Sequence, residues 1–185
     1  PLKYYLNNTA NVARVLRYAK TYNINKFRGD LMKFQSTRGL EQGVASAEAI
    51  LRGIAKDGGL YVPESFPNLY DSLKKEKGLS YEELAFKVIK EYFTDIDEND
   101  LMSAINDAYN NRFDVKVEKG FLELYHGPTC AFKDAALLFL PQIMKRARKK
   151  LGVTDEVVIL TATSGDTGKA ALEGFKDVEG FKVVV

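Results

Sequence analysis

The last third of the chain constrains its fold most. Val157-Val158-Ile159-Leu160 is an unbroken aliphatic run, followed by a polar, glycine-bearing turn, an apolar-periodic stretch over Thr167–Phe175 and a second apolar run over Phe181–Val185. Strand, turn, helix and strand in that order make a βαβ unit, and so an α/β fold with a parallel sheet. Neither apolar run alternates with polar residues, as expected of parallel strands covered on both faces. The chain stops inside the second strand, where a terminal carboxylate would lie in or beside a core, so the sequence reads as a fragment of a longer protein.

Upstream the pattern is mainly helical. Ser46–Lys56 reads as a short helix with Ile50, Leu51 and Ile54 on one face, stopped by Asp57-Gly58-Gly59. Leu60-Tyr61-Val62 reads as extended, ending at Pro63. Ser80 and Glu83 form a capping box that opens a helix to Phe93, with Leu84, Val88, Ile89 and Tyr92 facing inward. Asp97 caps another, with Leu101, Ile105 and Ala108 as its stripe. Phe113–Val117 and Phe121–Tyr125 alternate as strands do, and a helix is expected from Asp134 to Leu151.

Composition excludes several classes. The chain has 185 residues, 45% hydrophobic and 28% charged, so collagen-like and globally disordered readings fall away. The most apolar stretch, Ala135–Met144, is interrupted by Pro141 and Gln142 and is far shorter than the roughly 20 residues that span a bilayer, so no membrane helix is expected. A single cysteine, Cys130, and a single histidine, His126, allow neither an internal disulfide nor a structural zinc site; a reducing, cytoplasmic setting is the default. The net charge of +2 is unevenly placed. Lys3, Arg14, Arg17, Lys20, Lys26 and Arg28 face one acid, Asp30, within residues 1–31, and the remainder is mildly acidic, which disfavours nucleic acid as a partner. That leader contains one amphipathic helix, with Val12, Val15, Leu16 and Ala19 in register, and reads as an extension ahead of a body that begins at Met32.

Two places are candidates for chemistry. The first is Thr163-Ser164-Gly165-Asp166-Thr167-Gly168, where a parallel strand hands over to a helix. Its glycines let backbone amides approach a ligand, and the helix start concentrates unpaired donors, so a carboxylate or phosphate suits it. A plain capping turn is the simpler alternative. A P-loop fails on the letters, since Thr163 and Ala170 stand where glycine and Ser or Thr are required; the G-x-G-x-x-G fingerprint fails at Thr167. The second is His126-Gly127-Pro128-Thr129-Cys130-Ala131-Phe132-Lys133-Asp134. Lys133 precedes an apolar helix and is expected at the edge of the core, where desolvation favours the neutral amine that forms a Schiff base. The alternative is a snorkelling lysine paired with Asp134 or another acid.

Together with Ser36-Thr37-Arg38-Gly39 and Asp57-Gly58-Gly59-Leu60-Tyr61-Val62-Pro63, these two segments closely resemble, in order and spacing, the amino-terminal part of threonine synthase. That family consists of fold type II enzymes dependent on pyridoxal 5′-phosphate (PLP), with a tryptophan synthase β-like fold. The resemblance covers about Met32–Val185. It implies a helical amino-terminal region over residues 32–112 and, over 113–185, the incomplete start of a parallel three-layer αβα domain that binds PLP. It further implies a lyase that converts O-phospho-L-homoserine and water to L-threonine and phosphate, the last step of threonine biosynthesis.

By the same resemblance Lys133 is the catalytic residue and the covalent anchor of PLP, moving protons as base and acid. Ser164, Gly165, Thr167 and Gly168 bind the substrate carboxylate, and Asp166 stands beside the cofactor. Aspartate there would repel a carboxylate, so its oxygens are expected to accept from backbone donors. The usual phosphate-binding glycine loop and the partner of the pyridine nitrogen do not appear by Val185. His126 is expected as a loop histidine bonded to backbone, and Cys130 as a small buried filler. Lys145, Arg146, Arg148, Lys149 and Lys150 read as a solvated face at a helix C-terminus, and Arg38 as a residue within reach of a phosphate. Two alternatives stay open: a non-catalytic threonine synthase-like binding protein, and another fold type II enzyme such as a serine or threonine dehydratase. No metal is expected, and nothing in the letters fixes an oligomeric state.

Overall fold

A computed structural model describes residues 31–185. The expected leader helix with Val12, Val15, Leu16 and Ala19 lies outside the described residues. The described part opens with a small antiparallel sheet in which β1 (Lys33–Ser36) lies between β2 (Val44–Ala45) and β3 (Tyr61–Pro63). Only β3 was foreshadowed by the sequence.

Helix α1 (Ser46–Arg52) is shorter than expected. It stops at Gly53, which takes a φ of 66° that favours glycine, and not at Asp57–Gly59. The chain then folds back, with the Gly58 amide donating to the Ala55 carbonyl and the Ala55 amide to the Gly59 carbonyl. Ile54, now outside the helix, is exposed, and Ser46, Ala47, Ala49 and Leu51 are the residues buried on α1. The short α2 (Tyr70–Leu73) leads to α3 (Tyr81–Ile89), where the expected capping box is formed: Ser80 Oγ accepts from the Glu83 amide at 3.1 Å and Glu83 Oε2 from the Ser80 amide at 2.8 Å. Its inward face differs from the expected one. Tyr81 lies 5.1 Å from the Tyr109 ring and 5.6 Å from the Phe113 ring. This aromatic anchor turns Tyr81, Ala85, Phe86 and Ile89 to the core and leaves Leu84 exposed.

Asp97 caps α4 (Glu98–Tyr109) as expected, its Oδ1 accepting from the amides of Asn99 and Asp100, and Leu101, Ile105 and Ala108 are wholly buried. Strands β4 (Asp114–Glu118) and β5 (Phe121–His126) form a hairpin. Its two-residue turn puts Lys119 at φ 49° and Gly120 at φ 85°, a pair of left-handed residues that matches the twist of the flanking strands.

The helix expected over Asp134–Leu151 is two helices, α5 (Asp134–Leu137) and α6 (Phe139–Leu151), interrupted at Leu138. Pro141 supplies the reason: it has no amide for the Leu137 carbonyl, and its ring crowds that carbonyl. Helix α6 packs Ile143, Met144 and Ala147 into the interior and ends at Gly152 in the left-handed region. Its basic end is only partly a solvated face. Arg146 donates to Asp107 Oδ2 at 2.6 Å and Ser103 Oγ at 2.9 Å, tying α6 to α4, and Arg148 donates to the carbonyls of Thr154 and Asp155 while lying over the Phe181 ring.

The expected βαβ unit is present: β6 (Val157–Leu160), α7 (Asp166–Phe175) and β7 (Phe181–Val184), with the strands parallel and Val157 opposite Phe181. The sheet is not covered on both faces, however. Ile159 and Phe181 are buried, whereas Val184 and Val185 remain 50% and 59% exposed. One continuous apolar core joins α1, α4 and α6 to Ile159, Phe175 and Phe181. No helix among the described residues is long and apolar enough to cross a membrane.

Candidate active site

The loop from Gly127 to Lys133 is built around one carboxylate. Asp134 is 0% exposed, yet among the described residues it faces no cation. Its Oδ1 accepts from Thr129 Oγ1 at 2.6 Å and its Oδ2 from the Thr129 amide at 2.9 Å. The loop closes on itself through Cys130 amide to Gly127 carbonyl and Asp134 amide to Ala131 carbonyl. Gly127 must be glycine, since a Cβ there would sit 2.5 Å from Asp134 Oδ2 and 3.0 Å from Phe113 Cδ2. Behind the loop, the Tyr109 hydroxyl donates to the Ala135 carbonyl at 2.6 Å, fixing the first turn of α5 to α4. Burial raises the Tyr109 phenol far above its ordinary value, so it remains a donor.

This closed loop presents Lys133. Its backbone is already helical, its side chain is half-buried, and its Nζ lies 4.7 Å from the centroid of the Phe132 ring. The expected alternative, a pair with Asp134, is not formed, because Thr129 occupies both oxygens of that carboxylate. Among the described residues Lys133 has no ion pair, which leaves its amine available. Cys130 is exposed at φ 56°, contrary to the expected buried filler. The left-handed backbone turns its side chain outward, and Thr129 takes the buried position. His126 pairs through Nε2 with Glu123 Oε2 at 2.6 Å and not with backbone. The His126 contact, followed by one from Tyr125, holds the Glu123 carboxyl below its ordinary value.

The second candidate segment lies where β6 meets α7. Gly165 adopts φ 146°, a conformation that side chains resist, and the turn is held by Thr163, whose Oγ1 accepts from the amides of Gly165 at 3.2 Å and Gly168 at 3.4 Å. Asp166 was expected to take such backbone donors. Thr163 takes them instead, and the Asp166 side chain is exposed. The amides of Asp166 and Thr167 belong to the first helical turn, where no carbonyl lies below to accept them. Ser164 and Gly165 are exposed, Thr167 half-buried, and Gly168 buried, where a Cβ would meet Thr163 Cγ2 and lie 2.9 Å from Val185 Cγ1. The turn is therefore an open cradle of donors.

These two segments open helices that pack on each other. Leu137 of α5 clusters with Ala170 and Ala171 of α7, and the Leu137 carbonyl freed by Pro141 abuts Gly174. The other two sequence motifs also meet in space. Asp57 accepts from Ser36 Oγ at 2.6 Å and from the amides of Gly59 and Leu40, while Arg38 donates to the Asp57 carbonyl at 2.8 Å. The Ser36 hydroxyl, ahead of those amides and Arg38, holds the Asp57 carboxyl below its ordinary value. Arg38 is thus engaged in a structural knot.

Residues 33–109 match the family model described as the threonine synthase N terminus. The chain is 37% identical over 164 residues to the threonine synthase of Pseudomonas aeruginosa, covering 83% of this chain and 34% of that protein. By sequence and fold it matches the amino-terminal part of the threonine synthases. The PLP-bound threonine synthase of Brucella melitensis superimposes with a TM-score of 0.73 at 33% identity, over 82% of this chain and 34% of that one. The Escherichia coli threonine synthase gives a TM-score of 0.66 at 30% identity, over 82% of this chain and 36% of that one. A mouse protein named threonine synthase-like 2 is 35% identical over 83% of this chain and 34% of its own length. The chain spans about a third of the length of these threonine synthases and their relatives.

Proposed function

We propose that the chain supplies the Schiff-base lysine and the substrate-carboxylate cradle of a PLP-dependent threonine synthase, which converts O-phospho-L-homoserine and water to L-threonine and phosphate. In this reading residues 32–112 are the amino-terminal region and residues 113–185 begin the cofactor-binding unit. The observation that carries it is Lys133: a half-buried lysine with no ion pair among the described residues, held at a helix start by a loop closed on a buried aspartate.

The residues fit the cofactor. An amine free of acid partners is the group an aldehyde needs, and the Phe132 ring beside it is an apolar flank for an aromatic cofactor. PLP bound there supplies an electron sink for a carbanion next to the amino group of the substrate. Lys133 Nζ then moves protons at the α and β carbons, a role one amine can fill if it stays within hydrogen-bond reach of both. The Asp166 and Thr167 amides, with the Ser164 and Thr167 hydroxyls, hold the substrate carboxylate at the positive end of α7. Glycine at 165, exposed and with open space where a side chain would stand, lets that carboxylate approach backbone, while Gly168 packs beneath the turn against Thr163 and Val185. Asp166 flanks the cofactor from the same turn.

The test is borohydride trapping of PLP on the full chain with peptide mapping, paired with phosphate release from O-phosphohomoserine by the holoenzyme. The pyridoxyl label is expected on Lys133, and Lys133→Ala should remove both label and turnover. Labelling spread evenly over the surface lysines overturns the proposal.

A further inference from the structure

Asp134 is wholly buried, is the residue after Lys133, and among the described residues meets no positive charge. A carboxylate in such a place is costly unless hydrogen bonds replace its hydration. Here Thr129 supplies two, one from its amide and one from its hydroxyl, and Thr129 is itself buried. The consequence is a closed ring. Residues 129 to 134 are joined by backbone at one side and by the aspartate–threonine contacts at the other, and Lys133 is part of the ring. Gly127 packs against the same carboxylate, and the Tyr109 hydroxyl pins the Ala135 carbonyl on the far side. A group so enclosed cannot reach a substrate.

We infer that Asp134, acting through Thr129, is a positioning residue that aims the Lys133 amine. This rests on the reading of Lys133 as the cofactor lysine and extends it. The physical basis is that a flexible four-carbon side chain reaches a fixed point reproducibly only if its Cα is fixed, and a misplacement of about 1 Å at a reacting group can cost on the order of 10²-fold in rate. Neither Asp134 nor Thr129 touches the reacting atoms.

The experiment uses the full chain. The rate of borohydride-trapped pyridoxyl labelling at Lys133 is measured across pH and divided by the rates at Lys145 and Lys149, exposed lysines that serve as internal references. Thr129→Val removes the hydroxyl at nearly constant volume, Thr129→Ser keeps it, and Asp134→Asn replaces the charged acceptor by a neutral amide whose NH2 must face either the Thr129 amide or the Thr129 hydroxyl, so that the two charge-assisted contacts cannot both be kept. Thr129→Val and Asp134→Asn are expected to lower the Lys133 ratio about tenfold, with Thr129→Ser within about twofold of wild type. A purely structural role would change the unfolding midpoint and leave the ratio alone. If Asp134→Asn does not fold, the two Thr129 variants decide. A folded Thr129→Val chain that labels Lys133 at the wild-type ratio overturns the inference and leaves the cofactor reading standing. No preference for Lys133 in the wild type overturns both.

Discussion

Gly174→Ala separates local propensity from packing. On an isolated helix, alanine is better than glycine by about 1 kcal/mol, so the substitution in the last turn of α7 ought to stabilise. The structure reverses the sign. A Cβ on Gly174 would overlap the Leu137 carbonyl oxygen and lie 2.8 Å from its carbon, and the obstacle is backbone, with no rotamer to yield. Moving backbone in a packed interior costs about 3 kcal/mol, at the upper end of overpacking. After the propensity gain the net is about 2 kcal/mol of destabilisation. With a urea m-value of about 2 kcal/mol/M for a domain of this size, the unfolding midpoint should fall by about 1 M with m unchanged. Circular dichroism at equilibrium measures it. A midpoint that holds or rises would refute the close approach of α5 and α7, and with it the account of how Pro141 and Gly174 bring together the helices that carry the two site segments.

Other outcomes follow from single contacts. Asp57 has a folded-state pKa below its ordinary 3.8, so its contribution is complete above that value and is lost as pH falls through the lower one; Asp57→Asn should flatten the acid limb of stability against pH. Tyr109 has the opposite sense: its neutral phenol is favoured by burial, so stability should fall as pH rises beyond 10, and Tyr109→Phe should make that fall shallower without abolishing it, since burial also raises the Tyr81 and Tyr92 phenols, while costing about 1 kcal/mol at neutral pH for the lost bond to Ala135. Ser80→Ala deletes the cap of α3 and should cost about 1 kcal/mol in the same urea titration.

The elements that were legible are those specified by local rules. The capping box of Ser80 and Glu83 and the Asp97 cap with its Leu101, Ile105 and Ala108 stripe depend on residues within a turn or two of one another, and each element of the C-terminal βαβ unit is marked by its own run of residues even though Val157 pairs with Phe181 across the helix. The errors came where a distant partner decided. Leu84 has the right spacing for the core, but Tyr81 reaches Tyr109 and Phe113 and turns the helix the other way. Strand β1 is four residues long and carries no alternation of its own; it exists because Val44–Ala45 and Tyr61–Pro63 pair with it from either side. Pro141 was visible in the letters, but its effect lies four residues upstream, at the carbonyl it leaves free.

The candidate site shows the same division more sharply. Lys133 and the Ser164–Gly168 turn stand out because their chemistry is carried by residue type: an amine before an apolar helix, and glycines at a helix start. Their supports are ordinary residues doing geometric work. Thr163 is one of several hydroxyls in its turn, and only the fold shows that it, and not Asp166, collects the amides of Gly165 and Gly168. Thr129 and Asp134 are five residues apart with no periodic relation, and a lysine followed by an aspartate suggests an ion pair. The fold instead turns the carboxylate inward, away from the amine. Only once Asp134 is known to be buried and Gly127 to lie against it does the pair read as the clasp of a loop. In this chain the reactive groups are written locally, and the precision with which they are held is written in contacts between segments.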